Sequence, residues 1–170
     1  MELGLFAMPS HPPERDLREG FEWDLQVLRW LDQYGYREAW IGEHHSAPWE
    51  PNPAPDLLVA TGFRETERLR IGPGGFLLPF HHPAELANRV AFLDHISGGR
   101  LNFGIAASSL PGDWAMFNID GRSGIQRDMM WEALEIILRL WNEDAPFTHE
   151  GKFWTVSKPE EMYGLFVPHL

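Results

Sequence analysis

Histidine gathers at three places in this chain: Glu43-His44-His45, His81-His82-Pro83 and His95. An imidazole titrates near neutral pH, so it can take, give or hold a proton, and it can ligate a metal. His44 sits just past a short apolar run and at the head of a proline-rich stretch, which is where a pocket-facing proton-transfer group would be placed. The alternative for each histidine is an ordinary loop role, capping a turn or bonding a backbone carbonyl. His95 falls inside a helical period and reads as structural or surface. Glu43, His44, His45 and His82 are also metal-ligand types. Adjacent side chains on an extended segment point in opposite directions, however, and no HExxH helix is present. No metal is expected.

The Gly72-Pro-Gly-Gly75 run lacks the spacing and strand-to-helix context of a dinucleotide fingerprint, and no GK[ST] phosphate loop exists. It reads as a bulge or strand end where backbone passes close to something. Bare backbone is also what a flat ring needs to lie against. No G-x-S-x-G elbow surrounds Ser108 and Ser109, which disfavours a serine hydrolase. The absence of cysteine removes disulfides, thiolate nucleophiles and cysteine-bound zinc, and suits a reducing cytoplasm.

These residues are positioned by an alternation of short apolar runs with longer stretches of helical spacing, the pattern of βα units around a parallel sheet. Leu3 to Met8 reads as a first strand, and Leu17 to Tyr34 as its helix, with Phe21, Leu25, Leu28 and Leu31 on one face and Gly35 closing it. Glu38 to Gly42 is the second strand, followed by a loop rich in proline and a helix around Leu57 to Phe63. Leu69 to Ile71 begins the third. Pro83 suits the first turn of the next helix, which carries Leu86, Val90 and Leu93 and stops at Gly98-Gly99. Leu101 to Ala106 is the fourth strand, and its helix starts only near Ser123. A hairpin is expected from Phe147 to Val156, around Glu150-Gly151. Two long loops, Glu43 to Pro55 and Ala107 to Arg122, leave the carboxyl ends of strands, where parallel α/β proteins bind ligands. Trp40, Trp49 and Trp114 lie at or in those loops and are expected to form an apolar pocket for a small ligand.

The 170 residues suit one domain, read here as residues 1–170. With 44% hydrophobic and 23% charged residues the chain is globular rather than disordered. The 25 acidic against 14 basic residues give a formal charge of −11, which repels nucleic acid in the absence of a basic patch. No apolar run approaches the roughly 20 residues of a membrane span, and Met1 opens onto no signal-peptide pattern. A cytoplasmic protein with no membrane or nucleic-acid partner is expected.

Five pieces in order resemble the bacterial luciferase-like family of flavin-dependent monooxygenases, most closely its limonene-monooxygenase-like branch: WIGEHH (Trp40 to His45), RIGPGGFLLPFHHP (Arg70 to Pro83), LDHISGGRLNFGIA (Leu93 to Ala106), DWAMFNIDG (Asp113 to Gly121) and RDMMWEALEIILRLW (Arg127 to Trp141). The resemblance covers nearly the whole chain. It implies a (β/α)8 TIM barrel, of which parallel (β/α) units here supply the amino-terminal half, and FMN bound at the carboxyl ends of the strands. By the same resemblance His44 is the active-site histidine. Gly74 and Gly75 fall at a bulge with a non-prolyl cis peptide beneath the isoalloxazine. His82, Ala106 and Ser108 line the flavin site, with Asp113 and Arg127 beside it. The luciferase α chain has cysteine and arginine where this chain has Ala106 and Ala107, so light emission is not implied. The implied activity is oxygenation of a small apolar substrate such as a cyclic terpene, with oxygen and reduced FMN from a separate flavin reductase. A deazaflavin-dependent oxidoreductase of the same barrel, or a catalytically silent partial flavoprotein, are the alternatives. Half a barrel has two open sheet edges, so a homo-oligomer is expected.

Overall fold

The computed structural model describes residues 1–160 and 167–169. The chain divides into two compact units, Met1–Phe76 with Arg100–Ile105, and Leu77–Gly99 with Ala106–Leu170. Among the described residues, no helix is long and apolar enough to cross a membrane.

The first unit opens with β1 (Gly4–Ala7), α1 (Leu17–Gln33), β2 (Glu38–Ile41), α2 (Pro55–Glu65) and β3 (Arg70–Pro73). The strands are parallel in the order β1-β2-β3, with Gly4 opposite Glu38 and Glu38 opposite Arg70. Helix α1 begins because the Asp16 carboxylate accepts the N–H groups of Arg18 at 3.0 Å and Glu19 at 3.2 Å, satisfying two donors that the first turn leaves open. It ends at Tyr34, with Gly35 following at φ +76°. Leu25, Leu28 and Leu31 of α1, Leu58 and Phe63 of α2, and Ala39, Ile41 and Ile71 of the strands form the core. Arg100 closes the far end of α2. Its guanidinium donates to the Phe63 carbonyl at 2.8 Å, in the last turn of the helix where carbonyls have no helical partner, and to Thr66 Oγ1 at 3.0 Å and the Leu69 carbonyl at 3.2 Å in the segment that follows.

The fourth strand is shorter than Leu101 to Ala106. Leu101 makes a single parallel bridge to Ile71, and only Ile105–Ala106 forms a regular strand, β5. Between them Asn102 is held by its side chain: Oδ1 accepts from Arg70 Nε at 2.8 Å and Nδ2 donates to Glu38 Oε2 at 3.2 Å. Its carbonyl oxygen lies only 2.0 Å from where a Cβ on Gly72 would be, so the two backbones meet more closely than a regular ladder allows. The segment Phe76–Leu77, absent from the strand pattern read above, forms β4, whose Phe76 N–H donates to the Gly104 carbonyl at 2.8 Å.

The second unit contains a 3₁₀ turn (Leu78–Phe80), α3 (Pro83–Ser97), α4 (Pro111–Met116), α5 (Ile125–Asn142) and the hairpin strands β6 (Phe147–Glu150) and β7 (Thr155–Lys158). Helix α4 lies inside the stretch read from sequence as a continuous loop. Helix α3 stops at Gly98, whose φ of +68° is cheap only for glycine. Helices α3 and α5 bury Leu86, Val90, Ile136, Ile137 and Leu140, and the Trp141 indole N–H donates to the Ala87 carbonyl at 3.1 Å. The hairpin sits on α5 through Glu132, whose carboxylate accepts the N–H groups of Lys152, Phe153 and Trp154 at 2.9 to 3.0 Å.

Candidate functional site

In the first unit the chain leaving β2 is folded back on itself. Gly42 N–H continues the ladder by donating to the Ala7 carbonyl at 3.0 Å, while Asn52 Nδ2 donates to the Gly42 carbonyl at 2.7 Å. Asn52 also receives the His44 N–H on its carbonyl at 3.1 Å and donates its own N–H to the Glu50 carbonyl at 2.8 Å. The two adjacent histidines therefore diverge onto different carboxylates. His45 Nε2 lies 2.7 Å from Glu43 Oε1, and the Glu43 side chain is wholly buried; His44 Nε2 lies 3.4 Å from Glu50 Oε2, with side chains 20% and 31% exposed. A buried carboxylate requires a close partner, so His45 ties down the strand end. His44 is the more exposed of the two imidazoles.

The neighbouring strand end carries Gly74 and Gly75. Gly74 N–H donates to the Ile41 carbonyl at 2.7 Å, and the peptide bond joining Gly74 to Gly75 is cis. A Cβ on Gly75 would lie 2.4 Å from the Ile105 nitrogen and 2.5 Å from the Gly104 carbonyl carbon, and one on Gly74 would lie 2.8 Å from Trp40 Cβ and 3.0 Å from the Phe6 ring. The glycine run is thus a place where backbone approaches backbone, and it lies on the strand adjacent to the one that delivers His44.

The remaining sequence-expected residues belong to the second unit. His82 is the exposed residue that precedes α3, and Ala106 ends β5. Ser108 has φ +65°, and its Oγ is buried with no hydrogen-bond partner among the described residues. Asp113 is fully buried in α4, and Arg127 is exposed in the first turn of α5. Trp49 is 57% exposed, Trp40 packs against Gly74 and Gly104, and Trp114 lies in the second unit against Gly121.

Sequence reasoning passed over His11, Asp24, Glu50 and Asn52. His11 is buried in the turn after β1, its Nε2 3.0 Å from Asp24 Oδ2 and its Nδ1 3.3 Å from Arg15. Burial pushes the Asp24 carboxyl above its usual range, against the opposing hydrogen bond and charge of His11. The group borders a cleft of about 210 Å³ that also touches Pro48 and Asn52. The prolines around His11 and Glu50 mark turns, but nothing in their spacing says which carboxylate each ring meets. Among the described residues no group of three or more His, Asp or Glu side chains is arranged to hold a metal.

The profile of the luciferase-like monooxygenase family matches residues 1–168, and the chain belongs to that family. It is 41% identical over 148 residues to 4-hydroxyprotoasukamycin monooxygenase of Streptomyces nodosus subsp. asukaensis, covering 87% of this chain and 39% of that protein. It is 36% identical over 140 residues to limonene 1,2-monooxygenase of Rhodococcus erythropolis, covering 82% and 36%. The structure matches the oxygenating constituent of 3,6-diketocamphane monooxygenase of Pseudomonas putida, solved in complex with FMN, with a TM-score of 0.93 and 35% identity over 99% of this chain and 48% of that one. The chain thus spans less than half the length of these relatives. Its parallel βα units are those of the luciferase-like barrel, in keeping with the amino-terminal half.

Proposed function

We propose that this chain provides the His44 half-site of an FMN-dependent monooxygenase that acts on a small apolar substrate such as a cyclic terpene. The observation that carries the reading is the pairing, on adjacent strand ends of one unit, of a partly exposed imidazole with a side-chain-free backbone at Gly74-Gly75. A flat ring requires such a surface, and the buried, unpartnered Ser108 hydroxyl is a donor suited to a polar ligand atom. These residues fit FMN, which supplies oxygen activation when bound in its reduced form.

The residues proposed on the family resemblance to contact the flavin are Gly74, Gly75, His82, Ala106, Ser108, Asp113 and Arg127. Gly74 and Gly75 set main chain with no side chain of its own at the strand end, Gly74 being the partly exposed one of the two. Ser108 donates a hydrogen bond. His44 holds and moves a proton at its imidazole, a role worth about 10²- to 10⁴-fold in rate where such a group is removed. Reduced FMN is supplied by a separate flavin reductase, in keeping with the diketocamphane relative being an oxygenating constituent. The setting is cytoplasmic.

The test supplies the protein with reductase-generated reduced FMN, oxygen and a cyclic terpene. Oxygenated product is expected, with at least a hundredfold less in His44→Ala. Undiminished turnover in that variant removes His44 from its role. Tight deazaflavin binding with no FMN binding would replace the monooxygenase with a hydride-transfer enzyme.

A further inference from the structure

We infer that Glu50 is a positioning residue for His44, setting the direction of its ring and keeping its proton on Nε2; the catalytic value of that arrangement rests on the function proposed above. The two His–carboxylate pairs of this loop are built differently. Glu43 and His45 are 2.7 Å apart around a carboxylate with no exposure, which fastens the strand end. His44 and Glu50 are 3.4 Å apart and both reach the accessible side, which leaves the ring able to respond to a ligand.

The Glu50 backbone is held by hydrogen bonds that do not involve the His44 ring. Its N–H donates to the Ala47 carbonyl at 3.1 Å, its carbonyl accepts from Asn52 at 2.8 Å, and the neighbouring Trp49 carbonyl accepts the His11 N–H at 2.9 Å. Ser10 Oγ lies 3.5 Å from the second carboxylate oxygen, Oε1. Asn52 also fastens the His44 N–H and the Gly42 carbonyl, so imidazole and carboxylate are carried by one closed loop rather than by two independent segments. An ionised carboxylate can only accept, and at 3.4 Å its charge favours the imidazole form with N–H at the facing nitrogen, here Nε2. A carboxylate that fixes tautomer and orientation gives a histidine a defined proton at a defined place, and its removal leaves the ring chemically intact but misdirected.

Long-range proton–nitrogen spectra of the histidine rings test this directly, with His44→Gln identifying the His44 signals. The wild-type protein is expected to show His44 as the Nε2–H tautomer. In Glu50→Ala and Glu50→Gln the His44 nitrogens should move toward a mixed-tautomer average, while the His45 signals, held by Glu43, stay in place and report an intact loop. His44 signals unchanged in both variants, or a wild-type proton on Nδ1, overturn the inference. Turnover with reduced FMN and terpene separates it from the functional reading. A fall in kcat of about tenfold or more with KM little changed is expected of a positioning residue. A changed tautomer with unchanged turnover supports Glu50 as the positioning group and overturns the catalytic use of His44 instead.

Discussion

At Gly75 the space for a side chain is taken by backbone, and at Gly74 by side chains. The two positions therefore respond differently to the same added methyl group. Gly75→Ala places Cβ 2.4 Å from the Ile105 nitrogen and 2.5 Å from the Gly104 carbonyl carbon, which can move only if the strand moves. Gly74→Ala meets Trp40 Cβ at 2.8 Å, which is anchored to β2, and the Phe6 ring at 3.0 Å, which is 57% exposed and can turn aside. Overpacking of a fixed surface costs about 1–3 kcal/mol. The unfolding free energy from denaturant melts should fall by that order for Gly75→Ala and by less for Gly74→Ala, whose contacts are longer and include a ring that can turn. Equal losses would mean that the Gly104 segment yields as easily as Phe6 does.

The elements are held by carboxylates that collect backbone donors. Asp32, in the last turn of α1, accepts the N–H groups of Glu67, Arg68 and Leu69 at 3.1, 2.9 and 2.7 Å, fastening that helix to the turn entering β3. Partial burial pushes its carboxyl up, but the three donors and the Arg68 charge outweigh this and hold it below its usual range. A carboxyl lowered on folding contributes stability above its unfolded value near pH 4, and that contribution fades as pH falls through the lower folded value. The wild-type protein should therefore lose more stability on acidification from pH 5 to pH 3 than Asp32→Asn does, as followed by urea unfolding. Glu132 does the same work for the hairpin. Glu132→Ala strips the acceptor from Lys152, Phe153 and Trp154, and should cost about 1–2 kcal/mol and speed amide exchange at those three residues ahead of the α3–α5 core. Unaltered exchange there would assign the hairpin's hold to the Arg139 guanidinium 4.0 Å over the Phe147 ring.

For the molecule as a whole, β1 is the informative strand. Among the described residues it is paired along one edge, to β2, and Phe6 and Leu3 are 57% and 46% exposed beside it. An unpaired parallel edge with apolar neighbours favours association. Burying even about 1,000 Å² at about 25 cal/mol per Å² gives a driving force large enough to oppose the entropy of pairing. We propose that the chain associates with itself, and light scattering at micromolar concentration should give at least twice the 19.6 kDa of one copy. A stable species of that single mass would end the proposal.

The βα alternation was legible in the sequence because it rests on local physics. Helical spacing of Leu25, Leu28 and Leu31, Pro83 at a helix start and Gly98 at its end each act within a few residues of themselves. The motifs from Trp40 to Trp141 likewise carried the family, because they lie in linear order. The reach of β5, the presence of α4, and the partners of each histidine were not legible. They depend on groups far apart in the chain, such as Asn102 bridging Arg70 and Glu38, or on a loop closing through Asn52. Two adjacent histidines are interchangeable as letters. Only the folded loop, by burying Glu43 and leaving Glu50 partly exposed, sets one ring against a buried carboxylate and the other against an accessible one.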